Sequence, residues 1–518
     1  MSTAQSTSTD LPSALRSIWT SHGLPEGFLH NLKLIGDPDN AVPSSFRLGL
    51  AAQISIGLSG LSAAYVHYLR TGIEQDVVVD ARHAVLSFHS EAWYTINDTF
   101  QEGDVWDSIA GQYPTKNEEW VRIHTNFPHH RTGILSILSI PDHPTPATRS
   151  DVARTLEKWD ATEFEDECGR QGMCAFKLRT REEWDETMQG KVVKGYNVVD
   201  VTKVGEAPKK IIDKECMRPL DGVKALDLSR VLAGPVAGRA LAALGAQTLL
   251  ITSPCLPSLP LLDVETSLGK RTTQLDLTST QDADKLEKLV QGADVFLQAY
   301  RPGGIAGRGF GVDDVIKIRS ESRDGGVVYA SLRAWGWDGP WADRRGFDSL
   351  VQTATGFNAD EGTAFQAFMA SQGKGTQWVP KPLPMQALDH AAGYLLAFGI
   401  NVALARMITK GGSHEVRVSL AGVGQWVRSL GRIDPLKAFG PAAQAFPKRT
   451  WPLQGELAAL STTWVERQGK DGGQGRRMTA LRQPAVLGVT PVREGAMPAG
   501  SDWGAPMRLD ADDPVWVV

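Results

Sequence analysis

The residue best placed to do covalent chemistry is Asp389, in the run Leu388-Asp389-His390-Ala391-Ala392-Gly393-Tyr394-Leu395-Leu396-Ala397-Phe398-Gly399. It is a carboxylate at the start of an otherwise small and apolar helical segment. Apolar surroundings raise a carboxyl pKa, whereas helix N-terminal N–H groups and nearby cations lower it. A carboxylate held there is either a helix cap or a nucleophile. Three other clusters carry chemistry. Arg230-Val231-Leu232-Ala233-Gly234-Pro235 follows an apolar strand pattern and opens a helix, where free N–H groups can meet phosphates. It is not a GxGxxG fingerprint. Tyr300-Arg301, in Ala299-Tyr300-Arg301-Pro302-Gly303-Gly304, offers an aromatic face beside a guanidinium, which suits a purine and a phosphate or a solvated turn. Arg333 beside Trp335 offers the same choice. His129-His130 has no acidic or Cys partner at metal-ligand spacing and reads as a surface loop, so no metal site is expected.

Strands alternating with helices would position these groups. Expected strands are 223–228, 248–251, 295–297 and 327–331, with helices at 236–244 and 282–291. That alternation predicts an α/β fold with a doubly wound parallel sheet. Ligands of such sheets sit beyond the carboxyl ends of the strands. The turns 229–234, 299–304 and 332–336 should therefore share one rim.

The first half is patterned differently. A small-residue helix is expected at 46–69, strands at 77–80 and 119–123, and helices at 150–159 and 181–188. The Lys-rich stretch 201–217 reads as a linker. It divides the chain into 1–215, with a helical segment and a smaller α+β domain, and 216–518, with the sheet domain, Asp389 and a tail. An echo links the halves. The helix 389–407, then Gly411-Gly412 and Glu415-Val416-Arg417-Val418-Ser419, repeats the order of helix 46–69, Gly72 and Asp76-Val77-Val78-Val79-Asp80. Superposing the strands places Leu50 opposite Asp389, so one copy carries the carboxylate.

Composition limits the partners. The chain has 518 residues, 42 % hydrophobic and 22 % charged, with a net charge of -5 and a pI near 6.2, which suggests neither a nucleic-acid surface nor a polybasic membrane anchor. The four cysteines, Cys168, Cys174, Cys216 and Cys255, fit no disulfide framework or redox pair. Met1–Asp10 is polar and lacks a signal-peptide core, and no uninterrupted apolar run of about 18 residues occurs. Cytoplasm is the expected location, with no membrane and no nucleic acid as partner.

The segments 225–235, 244–246, Gly269-Lys270-Arg271, Ala293-Asp294-Val295, Tyr300-Arg301-Pro302-Gly303, Tyr329-Ala330-Ser331, Gly339-Pro340, Gly346-Phe347-Asp348 and Asp389 stand in the order found in family III CoA-transferases. This is the carnitine dehydratase and bile-acid-inducible protein F family. The resemblance covers about 222–420. Trp120-Val121 and 179–184 resemble the family's later portion, so the chain looks rearranged or partly duplicated. The resemblance implies a Rossmann-like CoA-binding domain and a nucleophile at Asp389 that passes through an aspartyl-CoA thioester. It implies an acyl-CoA and a carboxylate as substrates, no prosthetic group, and an interlocked homodimer. Val231 and Leu232 would line the CoA channel, Tyr300 would sit near the adenine, and Arg301 beside it would be a further CoA-binding residue. Arg333 would approach the pyrophosphate or the pantetheine arm. Thr252-Ser253-Pro254 and Ala299 depart from the family pattern, and no glycine-triplet loop is found. Related α-methylacyl-CoA racemases carry Gly-His-Asp where this chain has Gly346-Phe347-Asp348. A racemase-like isomerase and an inactive CoA-binding protein are the alternatives.

Overall fold

A computed structural model describes residues 11–321, 325–375, 377–466, 475–495 and 504–517. The opening Met1–Asp10 lies outside them. The fold is mixed α/β. Its largest sheet has seven strands in the order Arg271–Gln274, Gln247–Thr252, Lys224–Leu228, Val295–Gln298, Val328–Arg333, Ser413–Ser419 and Asp200–Gly205. The first six are mutually parallel and the last is antiparallel. The three strands nearest the middle are apolar because both faces of a parallel sheet are covered. The strand order switches direction between the parallel neighbours Lys224–Leu228 and Val295–Gln298, so a crevice opens beyond their carboxyl ends.

Residues 201–217, expected as a linker, begin instead as the edge strand Asp200–Gly205. Its internal Lys203 and terminal Gly205 obscured a short strand that finds its partner, Ser413–Ser419, far along the chain. Arg271–Gln274 was legible only as a motif and is also a strand. Three smaller sheets complete the described residues. One joins Leu32–Ile35, Val77–Asp80 and Ala485–Leu487. A second joins Ser461–Val465, Arg477–Leu481, Thr95–Ile96 and Thr99–Phe100. The third joins Gly111–Pro114, Trp120–Ile123 and Ala175–Lys177. Strands from both sides of residue 215 thus share three of the four sheets.

The helices Leu48–Thr71 and Ala387–Thr409 pack along each other at the centre. Both are long and apolar enough to cross a membrane, although polar residues interrupt each of them. Their apolar windows are 94 % and 89 % buried inside the protein, so they serve here as core helices, apolar all round because every face is covered. The echo extends one step further than the sequence suggested. Each helix is followed by a strand, Val77–Asp80 or Ser413–Ser419, whose last residue caps the next helix: Asp80 accepts from the His83 N–H, and Ser419 from the Gly422 N–H.

Candidate active site

The turn after Lys224–Leu228 is fixed from below. Lys270 and Asp227 are fully buried, with Lys270 Nζ 2.7 Å from Asp227 Oδ2 and 2.8 Å from the Pro235 carbonyl. Ser229 Oγ donates to the other Asp227 oxygen. Gly238 permits this arrangement, since a Cβ there would stand 2.0 Å from Asp227 Oδ2. Above the ion pair the chain turns through Val231 at φ 74° and enters the helix Ala233–Ala243. Positive φ is costly for a β-branched residue, about 1–2 kcal/mol. Such strain persists where surrounding structure dictates the backbone, often at ligand sites. Val231→Gly removes that strain, offset by about 0.5–1 kcal/mol of glycine chain entropy. Val231→Gly is therefore expected to unfold no earlier than the native chain in a thermal melt.

This helix meets the Asp389 helix through Gly393, whose Cβ would lie 2.7 Å from the Ala233 carbonyl. The close approach brings Asp389 to the strained turn. The residues expected on the rim are brought together: Val231, Leu232, Tyr300, Arg301, Arg333 and Asp389 line one cleft of about 540 Å³. Arg230, Arg344 and Arg345 line it as well. Five arginines around one cleft suit a polyphosphorylated ligand. Arg344 is engaged by Asp166 at 2.9 Å, while the Nε atoms of Arg333 and Arg345 are buried without partners. Arg333 lies over Trp337, 5.4 Å from the ring centroid, not against Trp335. Trp335 and Trp341 pack with Trp184 and Phe176 in the interior, so these tryptophans are core residues rather than substrate contacts. His129-His130 is not a loop: Pro128 starts the helix Pro128–Ile137, and His130 is buried against Cys174 Sγ at 3.7 Å. Among the described residues no group of His, Cys, Asp or Glu could hold a metal ion.

Asp389 is not a cap. Gln386 occupies the N-cap position of Ala387–Thr409, and Asp389 sits in the first turn. Its own N–H donates to Asp348 Oδ2 at 2.9 Å, while its carboxylate accepts no hydrogen bond among the described residues. Asp348 was visible in Gly346-Phe347-Asp348 but its role was not. It anchors the start of the helix, and Gln352 holds its second oxygen. The next residue, His390, donates Nε2–H to Glu91 at 3.1 Å. Burial keeps this imidazole below its ordinary range, so the ring is neutral and the charge rests on Glu91. Burial first, and then the Asp348 and Glu91 carboxylates, push Asp389 well above the usual carboxylate range. The helix start does not overcome those forces, contrary to the expectation that it would help hold Asp389 ionised.

Asp389, Val231, Leu232 and Phe347 are also the wall of a second cavity of about 510 Å³. Its far side comes from the first half of the chain, including Trp93, Trp106, Arg122 and His124. Phe347, which stands where the racemase motif has His, stacks face to face on His124 at 3.8 Å. Burial holds His124 down to about 3, so it is a neutral ring. Asp389 therefore stands between a cationic cleft and an aromatic cavity.

Residues 220–430 match the model of CoA-transferase family III. The matched segment contains the strained turn, the arginines of the cleft and Asp389. The chain is 31 % identical over 363 residues to an acyl-CoA transferase of Gibberella moniliformis, covering 68 % of this chain and 62 % of that protein. It is 34 % identical over 219 residues to the acetyl-coenzyme A transferase nodX of Hypoxylon pulicicidum, covering 42 % of this chain and 35 % of that protein. The chain thus spans about a third to three fifths of the length of these relatives. A crystal structure of Rv3272 from Mycobacterium tuberculosis matches 41 % of this chain and 57 % of its own, at 30 % identity and a TM-score of 0.35.

Proposed function

We propose that this family III protein transfers coenzyme A from an acyl-CoA to a carboxylate, with Asp389 as the covalent nucleophile. The observation that carries this reading is the position of Asp389, its carboxylate without hydrogen-bond partners, between the cationic cleft and the aromatic cavity. In this reading the cleft takes CoA on a Rossmann-like domain. Val231 and Leu232 flank the thioester end, Tyr300 and Arg301 the adenine end, and Arg333 the pyrophosphate or pantetheine.

The Asp389 carboxylate attacks the thioester carbonyl, forming a mixed anhydride and releasing CoA thiolate. The thiolate attacks the Asp389 carbonyl of the anhydride, giving aspartyl-CoA thioester and the free acid. An acceptor carboxylate attacks that thioester, forming a second anhydride and again releasing thiolate. Thiolate attack on the acceptor's carbonyl yields the new acyl-CoA and restores Asp389. Dividing the transfer in this way replaces one difficult displacement by easier steps. No prosthetic group is required. The division at 215–216, the cytoplasmic location and a homodimer remain part of the proposal. A panel of acyl-CoA donors and carboxylate acceptors, read by mass spectrometry, tests it: new acyl-CoA products are expected, without deuterium wash-in at the α-carbon of a 2-methylacyl-CoA. Wash-in without transfer would point to an isomerase.

The pH dependence has a definite sign. Attack needs ionised Asp389, and a raised pKa keeps it protonated to higher pH. The rate of CoA loading should therefore fall, as pH is lowered, at a pH above the ordinary carboxylate value of about 4. Asp348→Asn removes a neighbouring negative charge but keeps an oxygen to accept from the Asp389 N–H, so its acid limb should move to lower pH. Single-turnover loading measured across pH checks both. A limb at the ordinary value in the native chain would contradict the burial argument.

A further inference from the structure

The second cavity holds a cation that the transfer steps above do not use. Arg122 lies on Trp120–Ile123 and is 8 % exposed. Its guanidinium makes no hydrogen bond or ion pair among the described residues, and its Nε is buried without a partner. The contact it does make is with the face of Trp106, 5.3 Å from the ring centroid. Asp348 is close enough to act on its charge, but no ion pair forms between them. Although burial lowers its pKa to about 10, Arg122 stays charged near neutrality. Buried guanidinium groups are ordinarily paired, and their planar donors match a carboxylate. Arg122 shares its cavity with Asp389. Much of the remaining lining is apolar or aromatic: Trp93, Tyr94, Trp106, Leu261, Phe347 and Phe446. A cavity of about 510 Å³ is far larger than acetate or oxalate would need.

We propose that this cavity is the acid chamber of the transferase, that it takes a bulky, largely apolar or aromatic monocarboxylic acid, and that Arg122 receives the acid's carboxylate before it attacks at Asp389. The inference rests on the transferase reading and names its substrate class. Arg122 is the group that draws the acid in. The aromatic walls remove its apolar body from water, which favours large acids over short ones. No bond forms or breaks at Arg122.

The test uses the full chain, acetyl-CoA as donor, and acetate, succinate, octanoate and 2-naphthylacetate as acceptors. Native protein is expected to prefer 2-naphthylacetate and octanoate to acetate and succinate. Arg122→Gln should raise the acceptor KM about tenfold or more, beyond any change in CoA loading, as expected for loss of a charge-assisted hydrogen bond. Arg122→Lys should recover part of that loss. Preference for the short acids, an unchanged KM, or equal loss of loading and acceptor use would overturn the proposal. Calorimetry of 2-naphthylacetate binding to unreacted protein separates the two readings. Binding that weakens in Arg122→Gln supports the chamber even where Asp389 fails to load, and the transferase reading then falls alone. Absence of binding by either bulky acid overturns the chamber while leaving loading at Asp389 to stand.

Discussion

Asp389→Asn is expected to lower CoA transfer by at least about 10³-fold, because it removes the group that would form every covalent intermediate of the proposed transfer. The substitution should spare the fold. The Asp389 N–H still donates to Asp348, and the side chain keeps its size at the wall between the two cavities. It should also spare stability. A carboxyl whose folded pKa lies above its unfolded value weakens the fold once pH exceeds the unfolded value, and a neutral amide removes that penalty. The variant should therefore melt no earlier than the native chain at neutral pH and bind CoA with similar affinity by calorimetry. Loss of melting temperature together with activity would instead indicate a structural role.

Lys270→Met is expected to have the largest effect on stability. Asp227 would be left ionised in a fully buried position, and the Pro235 carbonyl would lose a donor. Breaking a buried pair by removing one partner costs about 3–5 kcal/mol, whereas replacing both partners by apolar residues is often neutral. Asp227→Leu combined with Lys270→Met should therefore be more stable than Lys270→Met alone, as read from denaturation midpoints. Both variants should bind CoA more weakly, because the pair lies beneath the turn that presents Val231 and Leu232. A single variant as stable as the native chain would refute the argument.

The legible parts of this molecule were those where local signals agreed. Lys224–Leu228, its turn and the helix Ala233–Ala243 combine an apolar strand, a glycine and a proline in the first helical turn, so sequence located them within one or two residues, except at the N-terminal start of the helix. The small-residue helices were legible for a similar reason, since only burial on every face explains so many alanines, glycines and leucines. Asp200–Gly205 was missed because its strand character comes from Ser413–Ser419, not from its own lysine-bearing sequence. Asp348, Arg122 and His124 were visible as residues but not as neighbours of Asp389, because contacts between distant segments leave no local periodicity. Arg122 left no signal of its burial, since an arginine between Val121 and Ile123 is ordinary strand alternation. The strain at Val231 left none, since nothing in Arg230-Val231-Leu232 demands a positive φ.

The most direct test of the account is to trap the protein during the proposed turnover. Native protein incubated with an acyl-CoA and quenched with hydroxylamine should yield a hydroxamate, and mass spectrometry should place it on the peptide containing Asp389. Borohydride in place of hydroxylamine should reduce the same carboxyl. The label should appear only when acyl-CoA is present and should vanish in Asp389→Asn. A label on any other residue, or transfer at the native rate with no label on Asp389, would contradict the account.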